Sequence, residues 1–154
     1  MSLDAFLRIG ETATLGSHTF TADEIKRFAA KYDPQPFHTD EEAAGKSIFG
    51  RLCASGWHTC AMWMRYNLKY REQAARWDGP GPRPTFGPSP GFSNLKWLKP
   101  VYAGDTITFT RTALWHRPLA SRPGWRLVSL RGGAFNANNE AVLEFENVIL
   151  LKVE

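Results

Sequence analysis

The sequence predicts an α+β fold in which one antiparallel sheet wraps around one buried helix. Three observations carry this. Apolar residues recur at helical spacing in the first half of the chain and at every second position in the last third. Between them, residues 78–91 hold five Pro and four Gly, a density that sustains neither helix nor strand. The stretch from Trp57 to Met64 is apolar nearly all round, the pattern of a helix enclosed by a core rather than laid on its surface.

At 154 residues the chain suits one domain spanning 1–154. A domain of that size buries ~70% of the surface its unfolded chain exposes, enough for a core without staples. Apolar residues make up 43% and aromatics 13%, with six Trp and ten Phe, which excludes intrinsic disorder. Lys and Arg number 19 against 15 Asp and Glu, a net charge of +4. That surplus suits an anionic ligand. The basic residues are dispersed without an interleaved aromatic platform, so a nucleic-acid partner is not expected. No apolar run approaches the ~20 residues of a membrane span. The first ten residues lack the basic-then-apolar layout of a secretion signal. Cys53 and Cys60 form neither a disulfide framework nor a metal motif. A soluble cytoplasmic protein is the expectation.

The first clear element starts at Thr21, which with Glu24 has the spacing of a capping box. Ile25, Phe28, Ala29 and Tyr32 then share one helical face, and Pro34 ends the run by pushing Asp33 out of the α region. Thr39 and Glu42 repeat the capping spacing and predict a short helix through Ala44. A glycine-punctuated segment, 45–51, leads to Ser55-Gly56-Trp57, and nothing breaks a helix from Trp57 to Tyr70. Residues 78–91 form a long crossover or functional loop. Leu95 to Val101 reads as a strand, and Ala103-Gly104-Asp105 as the turn that opens the next. There Ile107, Phe109, Arg111, Ala113 and Trp115 alternate with Thr106, Thr108, Thr110 and Thr112. Trp125 to Phe135 and Leu143 to Val153 complete the set.

Two segments carry chemistry. In Asp33-Pro34-Gln35-Pro36-Phe37-His38 a carboxylate and an imidazole stand five apart, held by two prolines that each fix their own φ. His38 precedes the predicted N-cap Thr39, and a helix N-terminus disfavours an imidazolium, while an ionised Asp33 pushes the other way. The plain alternative is an exposed turn in which both residues cap helix ends. In Ala54-Ser55-Gly56-Trp57 the amides that open a buried helix point outward with partial positive charge, a donor for an oxygen that becomes negative during reaction. The alternative is that Ser55 caps the helix and Gly56 serves packing. Gln35, Ser55 and Trp57 flank these positions and are the candidates for substrate contact. His58 reads as a hydrogen-bonded core histidine. His18 and His116 are isolated, and no spacing suggests a metal. Trp57, Trp63 and Met64 read as core residues that can also line a tunnel.

In order along the chain, Asp33-Pro-Gln-Pro-Phe-His38, Phe49-Gly50, Ala54-Ser55-Gly56-Trp57-His58-Thr59, Trp97-Leu98-Lys99-Pro100-Val101 and Gly104-Asp105 resemble the MaoC-like dehydratase family. That family contains the (R)-specific enoyl-CoA hydratases. The resemblance runs from about Thr21 to Thr112. It implies a hot-dog fold, a curved antiparallel sheet around one long central helix, assembled as a homodimer or higher homo-oligomer. It also implies a hydro-lyase of fatty-acid metabolism that adds water reversibly across the 2,3 double bond of an acyl-CoA thioester, with no metal or redox cofactor. Carried over by position, Asp33 and His38 bind and activate the water and handle the proton at C2, and the Gly56 amide holds the thioester oxygen. Three positions depart from the family pattern: Gln35 where Asn is common, Ser55 where many have His, and Met64 where some bacterial members have a Ser that contacts the Asp. These departures keep open a non-catalytic acyl-CoA-binding subunit, and a thioesterase on the same fold is the second enzyme reading. Arg117, Arg122 and Arg126 gather with His116 in a hairpin, either as a solvated loop or against the phosphates of CoA.

Overall fold

Strict alternation in the last third builds the sheet. In β4 (Thr106–Pro118) the row Ile107, Phe109, Arg111 and Ala113 is buried and the threonines between face outward. β4 pairs antiparallel with β5 (Trp125–Phe135), and β5 with β6 (Ala141–Lys152). The computed structural model describes residues 1–73 and 76–154. Its strand order is β1-β4-β5-β6-β2, where β1 is Thr12–Thr19 and β2 is Thr85–Phe86. β3 (Gly91–Trp97) shares the far edge of β6 with β2, end to end.

The concave face of this sheet holds α5 (Gly56–Glu72), which buries His58, Thr59, Met62, Trp63 and Asn67. Trp63 is 1% exposed, and its indole N–H donates to the Thr110 carbonyl at 2.8 Å, fixing the helix to β4. At β1 the helix comes closest. Gly16 has φ of +141° at a bulge, and a Cβ there would run into the Tyr66 ring of α5. Around this axis Phe20, Ile25, Leu52, Ile107, Phe109, Val142 and Leu143 form the main core. Beyond the C-terminal end of α5, α1 (Leu3–Leu7) closes the hollow by packing Leu7 with Ala113, Val128, Ile149 and Leu151. A long helix in a curved antiparallel sheet is the hot-dog arrangement expected from the motif blocks.

Several local expectations change. α1 and β1 were not anticipated: the bulge at Gly16 interrupts the alternation of β1 after Ala13 and Leu15, so no sustained period of two appears. Thr21 does cap α2 (Ala22–Tyr32), accepting from the Glu24 amide at 3.3 Å, but Tyr32 is 64% exposed rather than on the buried face. Its ring only covers Phe28. Thr39 is not an N-cap. It lies inside α3 (Pro36–Thr39), and Asp40 caps α4 (Glu41–Gly45), its carboxylate accepting from the Ala43 amide at 2.7 Å. The strand expected at Leu95–Val101 runs instead from Gly91 to Trp97; Pro100, which has no N–H to give a ladder, lies beyond its end. Finally, α5 is not enclosed all round. Trp57, Ala61, Met64 and Leu68, spaced by four, three and four, form an exposed stripe.

Candidate active site

Three separate segments converge because their backbones are tied together. α2 ends at Tyr32 and Asp33 takes the C-cap, so its side chain leaves the helix axis. Pro36 opens α3, which presents His38 from its last turn, 6% exposed. The buried strand-like segment Leu52–Ser55 then passes beneath, with the Cys53 amide donating to the Phe37 carbonyl at 3.3 Å and the Ala54 amide to the Val101 carbonyl at 2.7 Å. Tyr102 extends this support, its hydroxyl donating to the Phe49 carbonyl at 2.8 Å. The motif blocks scattered through the sequence are thus neighbours in space.

Ser55 Oγ donates to Asp33 Oδ2 at 2.7 Å, and the Gln35 amide donates to Asp33 Oδ1 at 2.7 Å. Each carboxylate oxygen therefore has one donor. His38 Nδ1 lies 2.6 Å from the Cys53 carbonyl, an atom that only accepts, so Nδ1 carries a proton. In the neutral ring that leaves the Nε2 lone pair free, and Nε2 stands 3.5 Å from Asp33 Oδ2. Burial by itself pushes the Asp33 carboxyl up. The Gln35 and Ser55 hydrogen bonds, with His38 beside them, outweigh it and hold the carboxyl below its usual range. Burial pushes the Cys53 thiol up to about 11, so near neutral pH this sulfur is a packing group rather than a nucleophile.

Gly56 is the first residue of α5, directly after the serine that holds Asp33. Its amide is one of the first helical N–H groups, which have no partner within the helix. The Trp97 indole lies against Gly56 so closely that a Cβ would collide with it. Trp57 meets the same indole edge-on with ring centroids 4.9 Å apart, and is itself 52% exposed. Along the open side of α5 runs an apolar cavity of about 420 Å³, lined by Trp57, Trp63, Met64, Leu95 and Phe145.

The structure brings Asp33, Gln35, His38 and Ser55 together, with Gly56 adjoining and Trp57 at the cavity. It also revises how they are held. His38 sits at the end of a one-turn helix, not before an N-cap, and the Cys53 carbonyl rather than a helix dipole sets its tautomer. Ser55 makes no side-chain cap to α5; its hydroxyl is turned to Asp33 instead. The hydroxyl on the aspartate thus comes from Ser55. Met64 lies two turns along α5 in the cavity wall, so its lack of a hydroxyl does not leave Asp33 unsupported. His116 is not isolated: it bonds Asp4 at 2.7 Å and receives the Arg126 Nε–H at 2.7 Å, which employs Arg126 within the hairpin. Sequence reasoning missed Glu24 as more than a capping residue. Its Oε1 receives His18 Nε2 at 2.6 Å and His58 Nε2 at 3.2 Å, joining α2 to β1 and α5. His58 is the packed core histidine expected, stacked on Phe28 with centroids 4.5 Å apart.

Residues 7–117 match the family model described as MaoC like domain. The chain belongs to the MaoC-like domain family. It is 32% identical to a crystallised MaoC-like dehydratase from Rhodospirillum rubrum, covering all of this chain and 98% of that one with a TM-score of 0.81. An (R)-hydratase from A. caviae involved in PHA biosynthesis superposes over 95% of this chain and 96% of its own, with a TM-score of 0.67 at 23% identity, a likeness of fold. A Bacillus subtilis (strain 168) protein, the uncharacterized YdeM, is 29% identical over 99% of both chains. The matched region contains Asp33, His38 and Gly56, so the site described above is drawn from the family's own domain.

Proposed function

We propose that this MaoC-like protein is an acyl-CoA hydro-lyase that adds water reversibly to the 2,3 double bond of an enoyl-CoA, with Asp33 and His38 as the proton-handling pair. The observation that supports it best is the pairing of His38 Nε2 with Asp33 Oδ2 at 3.5 Å, with the other ring nitrogen fixed as a donor to the Cys53 carbonyl. Those two atoms face one another at the spacing that lets one water touch both. The His38 lone pair takes a proton from that water as its oxygen bonds to C3 of the enoyl chain. Charge then collects on the thioester oxygen, which the Gly56 N–H at the start of α5 stabilises. A proton returned from the pair to C2 completes the addition, so that one water has been divided between C3 and C2. General acid–base work of this kind contributes ~10²–10⁴ in rate. Gln35 and Ser55 keep Asp33 ionised for its part, and the apolar cavity beside Trp57 receives the acyl chain. The chemistry as written moves only protons and water and calls for no metal or redox cofactor.

A homodimer fits the same reading. The stripe of Trp57, Met64 and Leu68 on α5 is the exposed apolar face that a second copy would cover.

The test follows loss of the enoyl-thioester ultraviolet absorbance across short, medium and branched enoyl-CoAs, with Asp33→Asn and His38→Ala beside the wild type and circular dichroism as a folding control. Turnover that disappears in both folded variants is the expected result. Full activity in either variant overturns the assignment, release of free thiol replaces it with a thioesterase, and tight CoA-ester binding without turnover replaces it with a binding subunit.

A further inference from the structure

The inward row of β4 carries a charge in the core. Arg111 occupies a position otherwise filled by Ile107, Phe109 and Ala113, and is only 8% exposed. A buried guanidinium ordinarily has a carboxylate partner, because an unpaired charge out of water is costly. Arg111 has none among the described residues. Among the described residues one of its five N–H donors is bonded, from Nη1 to the Asn67 amide oxygen of α5 at 3.2 Å, and the guanidinium otherwise meets only the Tyr70 and Phe86 rings, 5.6 and 5.8 Å from their centroids. The acid that lines the small cavity on its α1 side, Glu11, is bound to Arg8 at 2.8 Å. Arg71 stands nearby over the Phe86 ring, so the surroundings add positive charge rather than cancel it. Burial works against the Arg111 cation, Tyr70 favours it, and Arg71 and Arg8 add to the effect of burial, which wins.

Asn147 repeats the pattern on β6. It lies in the inward row between Phe145 and Ile149, is 8% exposed, and its amide oxygen has no hydrogen-bond partner among the described residues. Asn147, Met64 and Ser89 are walls shared by two cavities: the apolar one of about 420 Å³ beside Trp57, and a further one of about 170 Å³ lined by Asn67, Arg71 and Arg111. An apolar cavity and a cationic one thus adjoin along α5, with these three side chains between them.

We propose that Arg111, with Asn67 and Asn147, recognises an anionic end group on the acyl chain, so that the preferred substrate is an acyl thioester bearing a distal carboxylate. This rests on the acyl-thioester reading above. The carboxylate supplies the counter-charge that Arg111 lacks within the fold, accepting from its free N–H groups in the two-pronged manner that guanidinium geometry suits. The eleven helical steps from Gly56 to Asn67 span ~16 Å, which corresponds to roughly a dozen bonds of extended chain between thioester and end group.

The experiment compares kcat/KM for 2-dodecenedioyl-CoA, with its free terminal carboxylate, and 2-dodecenoyl-CoA, with a methyl end. Wild type, Arg111→Lys, Arg111→Met and Asn147→Leu are measured, with thermal melts to confirm folding. The wild type is expected to prefer the carboxylate by at least tenfold. Arg111→Met should bring the ratio toward one, Asn147→Leu should lower it, and Arg111→Lys should keep part of it. A ratio near one in the wild type overturns the proposal. So does an unchanged ratio in Arg111→Met, or an equal loss on both esters, which would assign Arg111 to the CoA phosphates or to a purely structural tie. If neither ester is turned over, the hydratase reading has failed instead. Calorimetric binding of the saturated dodecanedioyl and dodecanoyl esters then decides on the end group by the same ratio and the same variants, with equal affinities overturning it.

Discussion

Ser55→Ala removes one oxygen atom, and its effect should depend on pH in a sense fixed by the site. The Ser55 hydroxyl is fully buried and donates to Asp33 Oδ2 at 2.7 Å, while the carboxylate is 17% exposed, so water compensates little for its loss. A hydrogen bond to a charged group contributes ~1.5–3 kcal/mol. For a chain of this length each kcal/mol moves Tm by ~2–4 °C, so the variant should melt roughly 3–12 °C lower at neutral pH. Asp33 keeps its second donor, Gln35, which limits the loss to one bond. Because its carboxyl is held low in the folded state, the ionised form stabilises the fold above the unfolded value of ~3.9, and that contribution disappears as pH falls through the lower folded value. In the variant the carboxyl moves up toward its ordinary range. The difference between wild type and variant should therefore be full at pH 7 and shrink steadily as the solution is acidified below the ordinary carboxylate range. Urea unfolding across that range measures it, and carboxyl ¹³C titration of Asp33 reads the shift directly. A difference that is the same at every pH would refute the reasoning, since the hydroxyl would then be contributing packing and not a bond to an anion.

The close approach of Trp97 makes Gly56→Ala an overpacking change that costs ~1–3 kcal/mol; combining it with Trp97→Ala should recover part of that loss, and a strictly additive thermal double-mutant cycle would reject the contact. Glu24→Gln removes the charge that favours protonated His58, whose pKa burial already lowers, so its proton-NMR titration should move further down while α2 loosens from α5. Leu68→Glu places a charge in the exposed stripe of α5 and should convert a two-copy assembly to a folded monomer by light scattering, whereas an unchanged mass would exclude this face as the interface.

The parts of the fold legible in the sequence are those whose signal is local. β5 lies where its alternation ends, and α2 begins at its capping threonine, because both depend on residues within a few positions of one another. β1 is set by pairing with β4 some ninety residues on, and hydroxyl pairs such as Ser17 with Thr108 at 2.8 Å hold it. Neither partner announces the other in sequence. The same divide runs through the site. The Asp33–His38 spacing, with two prolines between them, was readable, as was the helix start at Gly56. That Ser55 serves the aspartate instead of the helix was not, because whether its hydroxyl turns to the Asp33 carboxylate or to the helix N–H groups depends on where α2 ends relative to α5. Arg111 was visible only as one member of an alternating row, and its lack of a counter-charge emerges once the neighbouring strands are in place.

The two members of the pair differ in what can change them. Asp33 is held by side chains, Gln35 and Ser55, and each can be replaced by a single substitution that resets the acidity of the carboxyl. His38 is held by the carbonyl of Cys53, and a peptide oxygen persists whatever residue stands at that position. Mutation can therefore tune one half of the pair by degrees while the orientation of the other is inherited with the fold. Variants selected for a new pH range or a new acyl group should accumulate changes around the aspartate and leave the histidine's anchor as it is.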